Sequence, residues 1–164
     1  MDRALSFWAL LWFVNIYNFM DGIDGITGVQ TIFIGVGASL LLMLFGTDDL
    51  LYPAFGFAMA GAALAFLRWN WHPAKIFIGD VGAVPLGLLL GWYLFYLGTQ
   101  GFIWSACIIP LYYCFDATVT LARRLRDGHM PWEPHRFFFF QAPVPHVYNH
   151  AQLVYRVIGI NVFL

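Results

Sequence analysis

Asn15, Asn18, Asp21 and Asp24 recur every three residues in the segment Asn15-Ile-Tyr-Asn18-Phe-Met-Asp21-Gly-Ile-Asp24-Gly25. A second acidic, glycine-rich segment, Ile76-Phe77-Ile-Gly79-Asp80-Val-Gly82, follows further along the chain. Both lie between long apolar runs. A carboxylate beside hydrocarbon is costly and usually persists because it binds something, commonly a metal or a cationic group. Three of the nine acidic residues of the chain fall in these two segments. A single carboxylate is a poor Mg²⁺ site, whereas several carboxylates with a phosphate-bearing substrate make a good one, because Mg²⁺ retains water and takes substrate oxygens. Phe77, three residues before Asp80, offers a ring on which a planar base can stack. Farther on, His135 and Arg136 form an adjacent pair of phosphate donors, the guanidinium bidentate. Carboxylates for a metal, cations for phosphate charge and a place for a base suit phosphoryl transfer, a reaction driven by positioning and electrostatics.

Structural readings compete with these. An Asp can cap a helix by accepting from its first free amides. Capping explains one Asp before the run that starts at 26, but not two Asn and two Asp in series; at Asp80 it could hold together with a metal role. His72, His129, His146 and His150 read as surface or packing residues. Asp116, inside an apolar run, is expected near the cytoplasmic end of its helix or paired, with Arg123 one candidate. Cys107 and Cys114 lie seven residues apart in the same run and read as packing residues.

The elements that must position these residues are membrane helices. The chain of 164 residues is 61% hydrophobic and only 10% charged, with a mean hydropathy of +0.72. Soluble domains carry about 25% charged residues, so the deficit indicates an integral membrane protein. A net charge of −1 and the lack of a basic stripe exclude a nucleic-acid partner. Apolar runs at about 4–20, 26–46, 51–68, 81–98 and 101–122, with a weaker one near 147–164, predict five to six transmembrane helices. No two-residue alternation supports a barrel. The expected fold is thus an all-α, polytopic helix bundle, one integral membrane domain over 1–164 with a cytoplasmic loop at about 123–146. Small residues such as Gly35, Gly37, Ala38 and Ser39, or Ala58, Ala60, Gly61, Ala62 and Ala63, suit close helix packing.

Sidedness follows from the cations. Arg68 and Lys75 fall in the loop 68–80, and Arg123, Arg124, Arg126 and Arg136 in the loop 123–146: six of the eight basic residues of the chain. These alternate loops are read as cytoplasmic, and the loop 18–25 shares their side. Asp21, Asp24, Asp80 and His135 are therefore expected to face one compartment.

The Asn15–Gly25 segment, Asn70 with Pro73-Ala-Lys-Ile-Phe77-Ile-Gly-Asp80-Val-Gly82, and His135-Arg136 together resemble the polyprenyl-phosphate N-acetylhexosamine-1-phosphate transferases, the bacterial membrane family also called glycosyl transferase family 4. The resemblance covers nearly the whole chain. It implies transfer of a sugar-1-phosphate from a UDP-N-acetylhexosamine to undecaprenyl phosphate, with Mg²⁺ and release of UMP, at the bacterial inner membrane in cell-envelope polysaccharide synthesis such as that of lipopolysaccharide. On matched positions it implies Asp80 as metal ligand, Phe77 as uracil stacker and Asn70 as nucleotide contact. Asn18, Asp21 and Asp24 match the motif lining the nucleotide and phosphate site, with Asp21, Asp24, Asp80 and His135 in the catalytic set and Asn15 and Arg136 substrate contacts. Phe19-Met20 and the His-Arg pair look closer to the N-acetylglucosamine branch than to the peptidoglycan branch.

The resemblance also sets an expectation of incompleteness. Relatives have roughly ten spans and an earlier Asp-Asp loop, which nothing upstream of Asn15 supplies, and Phe138 replaces the second histidine usual after His135. The chain is therefore read as a C-terminal portion of such an enzyme, needing a companion chain for turnover. The alternative is a non-catalytic membrane scaffold or nucleotide-sugar-binding remnant, which would bind a UDP-sugar without turning it over.

Overall fold

The computed structural model describes residues 2–46, 49–126 and 150–164. Every regular element among them is helical. In chain order these are α1 (Arg3–Phe19), α2 (Ile26–Leu41) continued by a π-helical turn (Leu42–Gly46), α3 (Leu51–Asn70), α4 (Gly79–Thr99), α5 (Ile103–Ile108), α6 (Leu111–Arg126) and α7 (His150–Phe163). Three stretches, Ile26–Gly46, Leu51–Asn70 and Gly79–Thr99, are long and apolar enough to cross a membrane. With its many outward-facing apolar side chains, among them Trp8, Leu64 and Leu88, the molecule is a membrane helix bundle.

Four of the expected runs appear within two residues of their expected ends. The run 101–122 does not stay whole. Pro110 separates α5 from α6, because proline lacks the N–H that would bond back one turn and its ring clashes with the carbonyl there. The Gln30 side chain donates to the Ile109 carbonyl at this break (3.3 Å). At its far end α6 continues through Arg126, so Arg123 stands on the helix rather than in the expected loop. The rest of that loop, including His129, His135, Arg136 and His146, lies outside the described residues, as does Asp48.

Two close helix pairs carry the bundle, α2 against α3 and α1 against α4. At the first, a Cβ on Gly35 would stand 2.6 Å from the Gly56 carbonyl oxygen and 3.2 Å from the Ala60 methyl. Glycine at this crossing lets the backbones nearly touch, which is how helices gain dispersion energy without a hydrophobic drive in lipid. Of the other small residues, Ala38, Ser39, Ala60 and Ala63 are buried in the packing, whereas Gly61 faces open space. Ser39 and Tyr93 share a hydrogen bond between α2 and α4 (2.8 Å). Asn161 on α7 donates to the Gln30 side chain on α2 (3.1 Å). Asp116 is buried on α6 and accepts from Thr120 (3.2 Å).

Candidate functional site

The loop between α1 and α2 and the loop between α3 and α4 meet at one end of the bundle. Asn70, the last residue of α3, joins them. It is 4% exposed, its Oδ1 accepts from the Gly25 N–H (2.9 Å) and its Nδ2 donates to the Ile76 carbonyl (2.9 Å). Both functional groups of this amide are thus engaged with backbone. Gly25 itself has φ +83°, a left-handed conformation in which any other L-residue is strained. It caps α2 with no side-chain hydrogen bond.

Capping does not explain the aspartates. Asp24 does not cap α2, and Asp80 lies inside the first turn of α4, whose capping residue is Ile78. There its charge is favoured by the positive end of the helix dipole. Asp80 is exposed, and Phe77 just before it is 69% exposed. Asn15 is exposed on α1 and turns its amide back to the Leu11 carbonyl (2.9 Å). Asn18 is half-buried one turn on.

Asp21 accepts from the Thr27 hydroxyl. Burial pushes its carboxyl above the usual carboxylate range; the Thr27 bond opposes this, and the charge of Asp80 adds to the rise. The charge of Asp80 at the head of α4 thus reaches Asp21. Carboxylates of the two segments offer oxygen donors, the kind a hard divalent cation such as Mg²⁺ takes.

Asp24 is held by a different set of partners. Its Oδ2 takes the His72 Nδ1 (2.7 Å) and the Ala74 N–H (3.2 Å). The Nδ1 of His150, the first residue of α7, lies 3.4 Å from Oδ1 and also 3.4 Å from the Asp24 backbone nitrogen. Burial raises this carboxyl, but the bond to His72, then the Ala74 amide and the charges of the two histidines, outweigh it and leave it below the usual range. His72 and His150, read from sequence as surface or packing residues, thus stand against the most contacted carboxylate of the site. Trp71-His72-Pro73 falls within the segment that separates Asn70 from Phe77, which was a signal for His72; nothing in the spacing pointed to His150.

The structure brings the loops that carry Asp21, Asp24, Asn70, Phe77 and Asp80 to one end of the bundle. His135 and Arg136 lie outside the described residues. A family model described as glycosyl transferase family 4 matches residues 3–98, more than half of the 164 residues and both acidic segments. The chain belongs to that family. Within glycosyl transferase family 4, the phospho-N-acetylmuramoyl-pentapeptide-transferase of Moorella thermoacetica is 36% identical over 77 residues, 47% of this chain. Those residues amount to 24% of that relative, so the matched part spans about a quarter of its length.

Proposed function

We propose that this chain forms the nucleotide-sugar side of a transferase that moves N-acetylhexosamine-1-phosphate from a UDP-sugar to undecaprenyl phosphate. A lipid phosphate oxygen attacks the phosphorus that carries the sugar, the phosphoanhydride bond breaks, and UMP leaves. The observation that carries this reading is an exposed Asp80 that no capping role engages, at the end of the bundle where the loop holding Asp21 and Asp24 meets the loop after Asn70. Asp80 would hold Mg²⁺, which when bound neutralises diphosphate charge. Phe77, exposed beside it, is free to stack on the uracil. Asn15 and Asn18 line the approach from α1, and Asn70 acts by fixing Gly25 and Ile76 rather than only by touching the nucleotide. His135 and Arg136 would donate to the phosphates. Asp21 and Asp24 complete the acidic side, at the cytoplasmic face of a bacterial inner membrane. The branch is the N-acetylglucosamine one, on the strength of Phe19-Met20 and His135-Arg136.

The test is UDP-N-acetylglucosamine binding and UMP release, with undecaprenyl phosphate and Mg²⁺, on the detergent-purified protein. Binding that requires Mg²⁺ and is lost in Asp80→Asn is expected. Unchanged binding in Asp80→Asn sinks the assignment, and binding without release by the intact protein favours a nucleotide-sugar-binding role alone.

A further inference from the structure

Asp24, His72 and His150 come from three separate parts of the chain: the α1–α2 loop, the turn after α3 and the start of α7. His72 is 48 positions from Asp24 and His150 is 126 positions away. Even so, one ligand atom from each lies within 4.8 Å of the others, the one such group among the described residues. His72 turns Nδ1 to one carboxylate oxygen (2.7 Å); His150 Nδ1 lies 3.4 Å from the other and accepts from the Asp24 backbone N–H (3.4 Å). Their rings are 5.1 Å apart and inclined at 37°.

We propose that these three residues form a second metal site, for an imidazole-preferring divalent transition ion with Zn²⁺ the first candidate, that clips the start of α7 to the two motif loops. The donor set decides the class of ion. Two imidazoles and a carboxylate suit Zn²⁺ and its neighbours, whereas Mg²⁺ takes oxygen. Zn–N and Zn–O bonds run about 2.0–2.2 Å, so tetrahedral ligand atoms stand roughly 3.3–3.6 Å apart; the 3.4 Å between His150 and Asp24 already fits, and the 2.7 Å contact between His72 and Asp24 must open slightly. The histidine side chains, 28% and 31% exposed, have room to do so and leave a path for the ion. The Ala74 N–H on Asp24 Oδ2 already orients the carboxylate, as an outer partner does in metal sites. Three protein ligands leave a fourth position open to water. Asp80 takes no part; the site shares only Asp24 with the proposed transfer reaction, and ion binding is read without turnover.

The experiment uses the full chain in detergent, stripped with chelator and titrated with Zn²⁺ against a chromophoric competitor. One ion per chain is expected, and excess Mg²⁺ should not displace it. Loss of an outer partner alone weakens a metal site about 10–100-fold, so His72→Ala and His150→Ala should each weaken binding at least ~100-fold. Asp80→Asn should leave it unchanged. His72→Cys restores a ligand, so it should recover binding and give a thiolate band with Co²⁺, a readout that a folding defect cannot mimic. Zn²⁺ bound equally well by the His72→Ala/His150→Ala double variant, or no Zn²⁺ bound by the unaltered protein, overturns the proposal and leaves a purely hydrogen-bonded triad.

Discussion

The two acidic segments are alike in sequence and opposite in structure. The Asp24 end of the first is closed: its carboxylate has His72, Ala74 and His150 around it, and the adjacent Gly25 is tied to Asn70. The second is open: Asp80 and Phe77 are exposed at the head of α4. Asp21 stands between, bonded to Thr27 yet within reach of the Asp80 charge. The lesson is a division of labour. Polar groups already engaged with the chain build the platform, where only an ion that takes over those contacts could bind, and those left unengaged are the ones a substrate can use. Substitutions in the closed part should therefore cost stability, and those in the open part should cost activity at constant stability.

The largest effect is expected at Asp80→Asn. Removing a group aimed at charge in the reaction costs about 10²–10³-fold in rate, so UMP release should fall by that order with the melting temperature unchanged. A large loss of stability would break the contrast. Asn70→Ala comes next. It strands the buried Gly25 N–H, whereas the carbonyl of the exposed Ile76 can turn to water, so at roughly 1–3 kcal/mol for a buried unsatisfied group denaturation in detergent should show a loss of that order. Asn70→Asp, which keeps the acceptor for Gly25, should lose less. Phe77→Ala should weaken nucleotide binding about tenfold, on a scale of ~1–3 kcal/mol per stacked base, and move stability by less than about 0.5 kcal/mol; calorimetry and thermal melts together read both.

The smallest effect sharpens the position of Asp21. Asp21→Asn keeps an acceptor for Thr27 and removes a buried charge facing Asp80. Folding raises this carboxyl pKa, so at neutral pH the charged form opposes folding, and the variant should melt ~2 °C higher, the shift of a change below about 1 kcal/mol in a chain of this size. Protonation does the same work as the substitution. The gain should therefore fade as pH falls through the raised folded value and be gone below the ordinary carboxylate value of about 3.9. A variant that melts lower at pH 7 would place Asp21 with the closed part.

The helices were legible where composition alone decides. The runs at 26–46, 51–68 and 81–98 could be bounded because lipid demands a minimum apolar length, and the structure ends them within two residues. The run 101–122 was equally apolar, and only Pro110 announced its break; hydropathy outweighed it. Asp21, Asp24 and Asp80 could be grouped because the cation asymmetry puts their loops on one side. The partners of Asp24 could not be foreseen, since contacts across 48 and 126 positions are set by tertiary packing and leave no periodic trace. Asn70 was read through the family as a nucleotide contact. The bonds that both its side-chain groups make to backbone depend on loop geometry that no spacing encodes.

The Gly35–Gly56 crossing has a reach beyond its own packing. Gly35 lies ten residues from Gly25, roughly 15 Å along the helix, and the α2 and α3 backbones that it keeps in near contact end at the two partners of the Gly25–Asn70 bond. A single methyl inserted there, midway along the apolar stretch Ile26–Gly46, works as a wedge at the fulcrum of a pair of tongs. It would open the jaws at the water's edge without touching any residue that meets a substrate.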